Sequence, residues 1–472
     1  MSGKTGLVSA SNSIVGTTAE DEVCWSAVAL DNGNYLVISP YWDNNLVINA
    51  GAVTWGDGDS GTILPVSDAN SLVGSQDYDH VGESATGLLG GNYVVSSSYW
   101  DYGLFDDAGA ATWENGTNGT QDEVSLSNSL VRTKNNDRVG SFSTIALLDG
   151  NYLVLSPLWN DGVSTHVGAA TWGDGSSGTT GPVSTGNSLV GTQADDQVGY
   201  TATALKNGHY VVGSPYWNNG LVSDAGAATW INGGSSNAAI VSTSNSLVGT
   251  LPNDRVSMLG ITALSHGNYV VTSPFWDNGL YDDAGAATWG NGAAGITGSI
   301  TPANSLMGGR EYDYVGHYGV IALYNGHYVV PSPDWSDGGI PNAGAVTWGN
   351  GSTGIVGLIS SANSLVGDSN NDEVGFGPTS ALRNGDYASR SPIWDSEEGT
   401  TNAGAVTWGS GLGGTIGTIT LHNSVIGTAT SGGSQMVFTY DLFNRQLVVG
   451  RPADNIVTLF RMHSLYVPLA KN

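Results

Sequence analysis

The chain has 472 residues, of which 70 are glycine, and its 40 % of hydrophobic residues exclude collagen and a disordered linker. Only 13 Lys and Arg residues face 41 Asp and Glu residues, so the formal charge of −28 disfavours nucleic acid and an anionic membrane surface as partners. The single cysteine, Cys24, excludes an intramolecular disulfide framework and a multi-cysteine zinc site.

The sequence carries no membrane-targeting signal that we recognise. No apolar run approaches the length of about 18 residues that a spanning helix needs, and Met1–Leu7 has no apolar signal-peptide core. We therefore predict no membrane insertion. Either the protein stays inside the cell, or the sequence is a piece of a larger exported protein.

The tripeptide Asn-Ser-(Leu/Ile/Val) recurs along the whole chain. It begins at Asn12, Asn70, Asn128, Asn187, Asn245, Asn304, Asn363 and Asn423, with spacings of 58 to 60 residues. Length alone would suggest about three domains. A repeat this regular instead predicts a single domain over residues 1–472, built from eight units and ending in a tail at 461–472.

Tryptophan follows the same period in two series. The first series is Trp42, Trp100, Trp159, Trp217, Trp276, Trp335 and Trp394. The second series is Trp55, Trp113, Trp172, Trp230, Trp289, Trp348 and Trp408, and only Trp25 falls outside both. Burying an indole removes about 150–250 Å² from water, worth on the order of 4–6 kcal/mol. We therefore expect the repeated tryptophans to fill the space between neighbouring units.

The unit from Asn187 to Ser244 shows the local pattern. Four strands are predicted, at Gly199–Leu205, His209–Pro215, Gly226–Ile231 and Ala239–Thr243. The first two are rich in β-branched and aromatic residues and flank Asn207-Gly208, which predicts a hairpin with a two-residue type I′ turn. Because a helical apolar period is absent, each unit is expected to be a four-stranded antiparallel meander.

A lone sheet of this size must stack on its neighbours, either as a radial propeller or as an open solenoid. Eight four-stranded units suit the propellers of about 4 to 8 blades. We predict an all-β, eight-bladed β-propeller of four-stranded antiparallel blades, with a seven-bladed ring plus an extra unit as the alternative.

The two ends of the chain suggest how the predicted ring closes. The last unit has strands near Val437–Leu442, Leu447–Arg451 and Ile456–Phe460 but lacks a fourth. Gly6–Ser9 aligns with fourth strands, so this N-terminal strand is expected to pair in the last blade and remove the free edge. Leu465–Leu469 competes for the same place.

The motifs Asp-x-Val-Gly, Tyr-Val-Val-x-Ser-Pro and Ala-Gly-Ala-x-Thr-Trp follow one another within a unit. Val-Gly occurs at Val81-Gly82, Val139-Gly140, Val198-Gly199, Val315-Gly316 and Val374-Gly375, and Ser-Pro at Ser39-Pro40, Ser156-Pro157, Ser214-Pro215, Ser273-Pro274, Ser332-Pro333 and Ser391-Pro392. This order resembles the FG-GAP repeat of the integrin α-subunit propeller and the repeats of large bacterial haemagglutinin-like adhesins. The resemblance covers about residues 6–460 and implies a propeller that binds proteins or sugars without catalysis.

The resemblance to integrin-like blades would also imply calcium sites between the first and second strands. Here that connection is a two-residue turn such as Asn207-Gly208, which is too short to supply six ligands. We therefore transfer no calcium site and predict no cofactor. Weak candidates for calcium lie in a later loop, at Asp106, Asp107, Asp282 and Asp283.

Aspartates concentrate in two loops of each unit. One series precedes Val-Gly or its counterpart and comprises Asp21, Asp79, Asp137, Asp196, Asp254, Asp313 and Asp372. These residues either form an acidic ring for cations or a basic partner, or accept hydrogen bonds from loop amides. The same residue in unlike loops favours the second role.

The first tryptophan series lies where a strand gives way to a loop, often beside Tyr41, Tyr99, Tyr216 or Phe275. Exposed rings there would stack on sugars with multivalent avidity, although packing between blades explains the series equally and is the favoured role. The ligand-binding candidates are Trp42, Trp100, Trp159, Trp217, Trp276, Trp335 and Trp394, with Asp43, Asp101, Asp277 and Asp395 directly after four of them.

No catalytic constellation stands out. Only His209 and His327 of the eight histidines share a repeat position, which makes a metal cluster improbable. The protease-like tetrapeptide Gly58-Asp59-Ser60-Gly61 lies in a turn shared by other units. We predict a non-catalytic, monomeric recognition or adhesion module that binds protein or carbohydrate through the loop face, extracellular or on the cell surface as part of a larger exported protein. A structural spacer without a small-molecule ligand and a glycan-cleaving enzyme are the alternatives.

Overall fold

The computed structural model describes residue 7 and residues 9–119, 121–234 and 238–461. In these residues the fold is all-β: eight separate sheets are formed, and the only helical segments are 3-10 turns at Gly433–Gln435 and Pro452–Asp454. The chain divides into two compact units, Met1–Arg255 with Gly292–Gly298, and Val256–Asn291 with Ser299–Asn472. Sheets 1 to 4 belong to the first unit and sheets 5 to 8 to the second. The single domain stays a prediction.

Sheets 1 to 7 each contain four antiparallel strands in chain order. The first strands are Ser26–Ala29, Ser84–Gly87, Thr144–Ala146, Thr201–Ala204, Ile261–Ala263, Ile321–Ala322 and Thr379–Ala381. The second strands are Tyr35–Ser39, Tyr93–Ser97, Tyr152–Ser156, Tyr210–Ser214, Tyr269–Ser273, Tyr328–Ser332 and Tyr387–Ser391. The third strands are Ala52–Gly56, Ala110–Glu114, Ala169–Gly173, Ala227–Ile231, Ala286–Gly290, Ala345–Gly349 and Ala405–Gly409. The fourth strands are Ser71–Val73, Ser129–Val131, Ser188–Val190, Ser246–Val248, Ser305–Met307, Ser364–Val366 and Ser424–Ile426.

Sheet 8 and the short linking strands complete the secondary structure. Sheet 8 has three antiparallel strands, Val437–Asp441, Gln446–Arg451 and Ile456–Phe460, close to the predicted bounds. Along the chain, a two-residue linking strand separates the third strand of a sheet from the fourth. The linking strands are Asp122–Glu123, Gly181–Pro182, Ala239–Ile240, Gly298–Ser299, Gly357–Leu358 and Gly417–Thr418.

The predicted fourth strand was assigned to the wrong sheet. Ala239–Ile240 pairs in parallel with Ser188–Val190 of sheet 3, whereas the fourth strand of sheet 4 is Ser246–Val248, inside the Asn-Ser-Leu-Val motif. The Asn and the Ser of this motif each have a structural role. Asn245 closes the turn by accepting a hydrogen bond from the Ser242 amide at 2.9 Å, and the Ser246 hydroxyl bonds the Thr229 hydroxyl of the third strand at 2.8 Å.

The first hairpin forms as predicted, but with a different turn. In sheet 4, Ala204 pairs with Tyr210, and the Gly208 amide bonds the Leu205 carbonyl at 3.1 Å. Gly208 has φ +83° while Asn207 keeps a negative φ. This is the three-residue loop in which a type I turn is followed by a left-handed glycine, not the predicted type I′ turn.

The second tryptophan series joins successive sheets within each unit. The Trp55 indole N–H of sheet 1 donates to the Gly116 carbonyl in the Gly-rich turn of sheet 2 at 2.9 Å, and the Asn34 side-chain amide donates to the same oxygen at 2.9 Å. Four further indole bonds of 2.9 to 3.0 Å repeat this link, at Trp113–Gly175, Trp172–Gly233, Trp289–Gly351 and Trp348–Gly411. Trp230 makes the same bond at 2.9 Å to Gly292, which belongs to the first compact unit. The predicted packing between neighbouring units is thus confirmed for this series.

Trp408 of sheet 7 is the exception. Its indole N–H bonds Asp386 Oδ2 of its own sheet at 3.0 Å, and its ring packs edge-on against Tyr440 and Phe460 of sheet 8. Sheet 8 therefore packs on sheet 7 through apolar contacts without the indole-to-carbonyl link.

The predicted ring closure falls mostly outside the described residues. Of Gly6–Ser9, only Leu7 and Ser9 are described, and Leu465–Leu469 is not. The propeller arrangement and its seven-bladed alternative stay predictions, since the eight sheets fit either.

A matched pair of glycines tests the contact between sheets. A Cβ added at Gly178 (φ +77°) would lie 2.8 Å from the Trp113 Cβ, whereas one at Gly61 (φ +74°), in the same turn of sheet 1, meets nothing within 4 Å. Both Gly→Ala variants incur backbone strain of about 1–2 kcal/mol. We expect Gly178→Ala to lower the free energy of urea unfolding by a further ~1–3 kcal/mol. Equal losses in the two variants would contradict the proposed contact.

Candidate functional site

The aspartates before Val-Gly are buried and hold two loops together. Asp79 is fully buried: its Oδ2 accepts from the Ser75 and Gln76 amides, both at 2.8 Å, and its Oδ1 accepts from the Asp101 amide at 2.8 Å. The same pattern recurs at Asp21, Asp196, Asp313 and Asp372. The predicted turn role is confirmed for these residues.

The environment of these carboxyl groups shifts their pKa values. Burial raises the pKa of Asp79 and of Asp313 to about 6, although the backbone hydrogen bonds oppose the shift. At Asp21 burial also acts upward, but the hydrogen bonds from the Thr18 side chain and neighbouring amides outweigh it, so its pKa lies below the usual value. At pH 7 the carboxyl groups of Asp79 and Asp313 are therefore mostly ionised, with loop amides donating to their oxygens.

The predicted ligand residues Asp43, Asp101, Asp277 and Asp395 close the loop that follows the first tryptophan. Asp101 Oδ1 accepts from the Asp107 amide at 2.7 Å, and Asp43 does the same for Asn49 at 2.8 Å. The pairs Asp277–Asp283 and Asp395–Asn402 repeat the bond at 2.8 and 2.7 Å. In the first five repeats we call the loop that follows the first tryptophan a tip loop. The tip loops are residues 43–49, 101–107, 160–166, 218–224 and 277–283.

The calcium candidates lie at the end of two tip loops. Asp107 pairs with Arg138 at 2.6 Å, and Asp283 accepts a 3.4 Å hydrogen bond from the Tyr314 hydroxyl. In the described part of the chain, no group of three or more His, Cys, Asp or Glu side chains is placed to hold a metal ion. Calcium binding by Asp106, Asp107, Asp282 or Asp283 stays a prediction.

The first tryptophan series is buried. All seven indoles are between 1 and 5 % exposed. Six of them lie in apolar clusters, as Trp100 does with Val95 and Val131. Trp394 also lines a cavity of about 480 Å³ together with His422 and Arg451. In this conformation the series offers no free ring face for a sugar, which favours the packing role.

The apolar residues at the centre of the tip loops were not predicted from the sequence. Leu46, Leu104, Val163, Leu221 and Leu280 occupy the fourth position after the tryptophan in five successive repeats, and each is at least 92 % exposed. We call these the tip residues. In most tip loops they follow a residue with positive φ in a two-residue turn, such as Gly220 (φ +65°) before Leu221. The missed signal is an aliphatic residue directly after Asn-Gly or its equivalent, where turns are normally polar.

Each tip loop is hydrogen-bonded to the loop of the next repeat that carries the buried aspartate. The Asn136 amide bonds the Asp106 carbonyl at 2.9 Å, and the Arg138 amide bonds the Asp107 carbonyl at 3.1 Å. Each exposed tip residue is therefore presented by a loop fixed at both ends rather than by a free segment.

The sequence profile of a repeat family described as a repeat of unknown function (DUF5650) matches residues 1–25, 29–83, 88–141, 146–200, 204–258, 263–317, 322–376 and 381–435. The chain belongs to this repeat family. Each of the seven longer matches carries the second, third and fourth strands of one of sheets 1 to 7, and sheet 8 lies beyond the last match. The matched family is not the FG-GAP repeat.

No curated protein matches the chain. The structure is similar to PorZ, an essential bacterial surface component of the type-IX secretion system of human oral-microbiomic Porphyromonas gingivalis, at 13 % identity and a TM-score of 0.31. The match covers 94 % of this chain and 60 % of PorZ, so the chain spans less than two thirds of that protein. No helix in the described ranges is long and apolar enough to cross a membrane.

One further titratable group is buried. Glu114 ends the third strand of sheet 2 and is 3 % exposed, at the position where sheet 1 has Gly56. Burial raises the pKa of Glu114 to about 8, and the charge of Asp122 adds to the shift. This carboxyl group is therefore mostly protonated at pH 7.

We expect Asp79→Ala to destabilise the fold, because three loop amides lose their acceptor. The expected loss is about 2–4 kcal/mol in the free energy of urea unfolding. Asp68→Ala, which removes an exposed carboxylate nearby, should change it by less than about 0.5 kcal/mol. A similar effect from both variants would show that the buried carboxylate does not hold the loops.

Glu114 should make stability depend on pH. The unfolded chain releases this proton near pH 4.5 and the folded chain only near pH 8, so its contribution is complete below about 4.5 and is lost as the pH rises through 8. Between pH 5 and 9 the wild type should lose on the order of 4 kcal/mol more unfolding free energy than Glu114→Gln. Parallel stability curves for the two proteins would contradict this assignment.

Proposed function

We propose that the chain is a non-catalytic recognition or adhesion module that binds a macromolecular ligand through its tip loops. The observation that carries this proposal is the recurrence of the exposed tip residues. Four Leu and one Val occupy the same position of five successive repeats, and this regularity distinguishes them from the scattered apolar residues that a protein surface normally carries. The buried Trp and Asp side chains beneath them act as the rigid support.

The chemistry of the tips favours a protein ligand over a carbohydrate. An aliphatic side chain gains about 1.5–3 kcal/mol when a partner buries it, but it offers neither an aromatic face nor a hydrogen bond to a sugar. Several such tips in one chain would add their effects through multivalent contact. The extracellular or cell-surface location, the integrin-like resemblance and the monomeric state belong to this proposal.

A structural spacer is the second candidate, because the links between sheets alone suffice to build a stiff array. It predicts no saturable ligand. A glycan-cleaving enzyme would need one loop with a distinct pair of acidic groups. The two tip loops with the most acidic residues, 101–107 and 277–283, carry their three Asp residues at the same positions, so neither is distinct.

Two matched double variants test the proposal. The purified chain is screened on arrays of extracellular proteins and glycans, and each hit is measured by surface plasmon resonance. Leu104→Ser with Leu221→Ser should weaken binding by at least about tenfold. Leu412→Ser with Leu421→Ser removes two side chains that are 80 and 78 % exposed elsewhere and should change affinity less than about twofold.

Unchanged binding by the tip variant would reject the tip loops as the binding surface. The absence of any saturable ligand on both arrays would favour the spacer instead.

A further inference from the structure

Trp25, the tryptophan outside both series, borders a separate aromatic cavity in the first unit. It precedes the first strand of sheet 1, is 62 % exposed, and meets Tyr41 edge-on with ring centroids 5.3 Å apart and an interplanar angle of 82°. Trp25 therefore contacts one aromatic neighbour and leaves most of its ring surface exposed.

Four rings form the wall of this cavity. His80 lies 5.4 Å from Tyr41 at 80° and 5.8 Å from Tyr99 at 75°. With Pro40 and Glu83, the rings enclose about 410 Å³. We call this the Trp25 cavity. Successive rings are nearly perpendicular, so faces and edges alternate around the space.

His80 is held in place by a hydrogen bond. Its Nδ1 lies 3.0 Å from the Pro40 carbonyl oxygen, so this nitrogen carries the proton and donates. Glu83 is exposed at the rim of the cavity and accepts a hydrogen bond from the Ser98 hydroxyl. The cavity thus has aromatic walls, a fixed imidazole and one carboxylate at its rim.

Two rings equivalent to Tyr41 already contact an arginine of the chain itself, and one of them, Tyr99, also lines the Trp25 cavity. The Arg138 guanidinium lies 4.8 Å from the centroid of Tyr99, and that of Arg255 lies 5.7 Å from the centroid of Tyr216. Each arginine directly follows the buried aspartate of the next repeat. At Tyr41 this position is His80, which bonds the Pro40 carbonyl, so no arginine covers that ring.

We propose that the Trp25 cavity binds a quaternary ammonium group. A cation over Trp or Tyr faces gains about 0.5–2 kcal/mol per ring, and the excess of 41 acidic over 13 basic residues favours its approach. A primary ammonium needs three hydrogen-bond acceptors, whereas the cavity offers mainly ring surface and one carboxylate. A quaternary ammonium group has no N–H donor to satisfy, so it fits this lining better. The proposal does not depend on the tip residues.

Choline and its neutral isostere 3,3-dimethylbutan-1-ol, which share a shape but differ in charge, provide the test. Isothermal titration of the full chain should give saturable binding of choline and at least about tenfold weaker binding of the alcohol. Trp25→Ala and Tyr41→Ala should each weaken choline binding by about tenfold, and Glu83→Gln by about threefold. Tyr324→Ala, which removes a ring that is 64 % exposed elsewhere, should leave binding unchanged.

Because Trp25 is exposed, its replacement should leave the unfolding midpoint unchanged, which separates lost binding from lost folding. Equal binding of choline and the alcohol, no binding of choline up to about 50 mM, or wild-type binding by Trp25→Ala would each overturn the proposal. A neutral saccharide that binds in place of choline and is lost in Trp25→Ala would reassign the cavity to carbohydrate. Loss of protein binding in the tip variant with intact choline binding would leave this proposal standing.

Discussion

The carbonyl of one glycine in each Gly-rich turn is the point on which neighbouring sheets depend. It receives the indole N–H of the preceding sheet's second tryptophan and, in most repeats, a side-chain amide as well, as Gly116 does from Trp55 and Asn34. Only glycine fits close by: a Cβ at Gly119, in the same turn, would lie 2.4 Å from the Trp55 Cβ of the preceding sheet. The recurrence of glycine, tryptophan and asparagine at these positions therefore has one common cause, the close approach of successive sheets.

This link has consequences for the rest of each unit. Once the sheets are fixed at the Gly-rich turns, the first tryptophan series fills the apolar interior and the buried aspartates tie each tip loop to the next repeat. Asp79 shows the balance of forces: burial raises its pKa to about 6, but three amide donors make the buried carboxylate tolerable. A rigid support of this kind lets exposed side chains such as Leu104 and Leu221 stay at fixed positions.

Periodicity in the sequence predicted the all-β class, the eight units and the first three strands of each sheet, because β-branched runs around Asn-Gly are a local signal. The fourth strand escaped prediction because Ser246–Val248 is only three residues long and lies within a motif that was used as a marker. Parallel pairing of Ala239–Ile240 with Ser188–Val190 is non-local and leaves no local pattern. The sequence also could not decide whether Trp100 is buried or exposed. A tryptophan needed for packing in every sheet and a tryptophan used for binding in every repeat would recur with the same spacing.

The candidate surfaces were harder to find for a related reason. Leu104 and Trp25 stand out only when their exposure is known, because an isolated Leu or Trp in a sequence is normally a core residue. The pKa of Glu114 likewise depends on its burial at a position where several other sheets have glycine.

Hydrogen exchange of the indole N–H groups, followed by NMR with labelled tryptophan, tests the link between sheets most directly. Bonded indoles such as those of Trp55, Trp172 and Trp289 should exchange slowly, because exchange requires neighbouring sheets to separate. The indole of Trp25, which is 62 % exposed, should exchange rapidly in the same sample. If Trp55, Trp172 and Trp289 exchanged as fast as Trp25, the indole-to-carbonyl bond would not be what holds the sheets together.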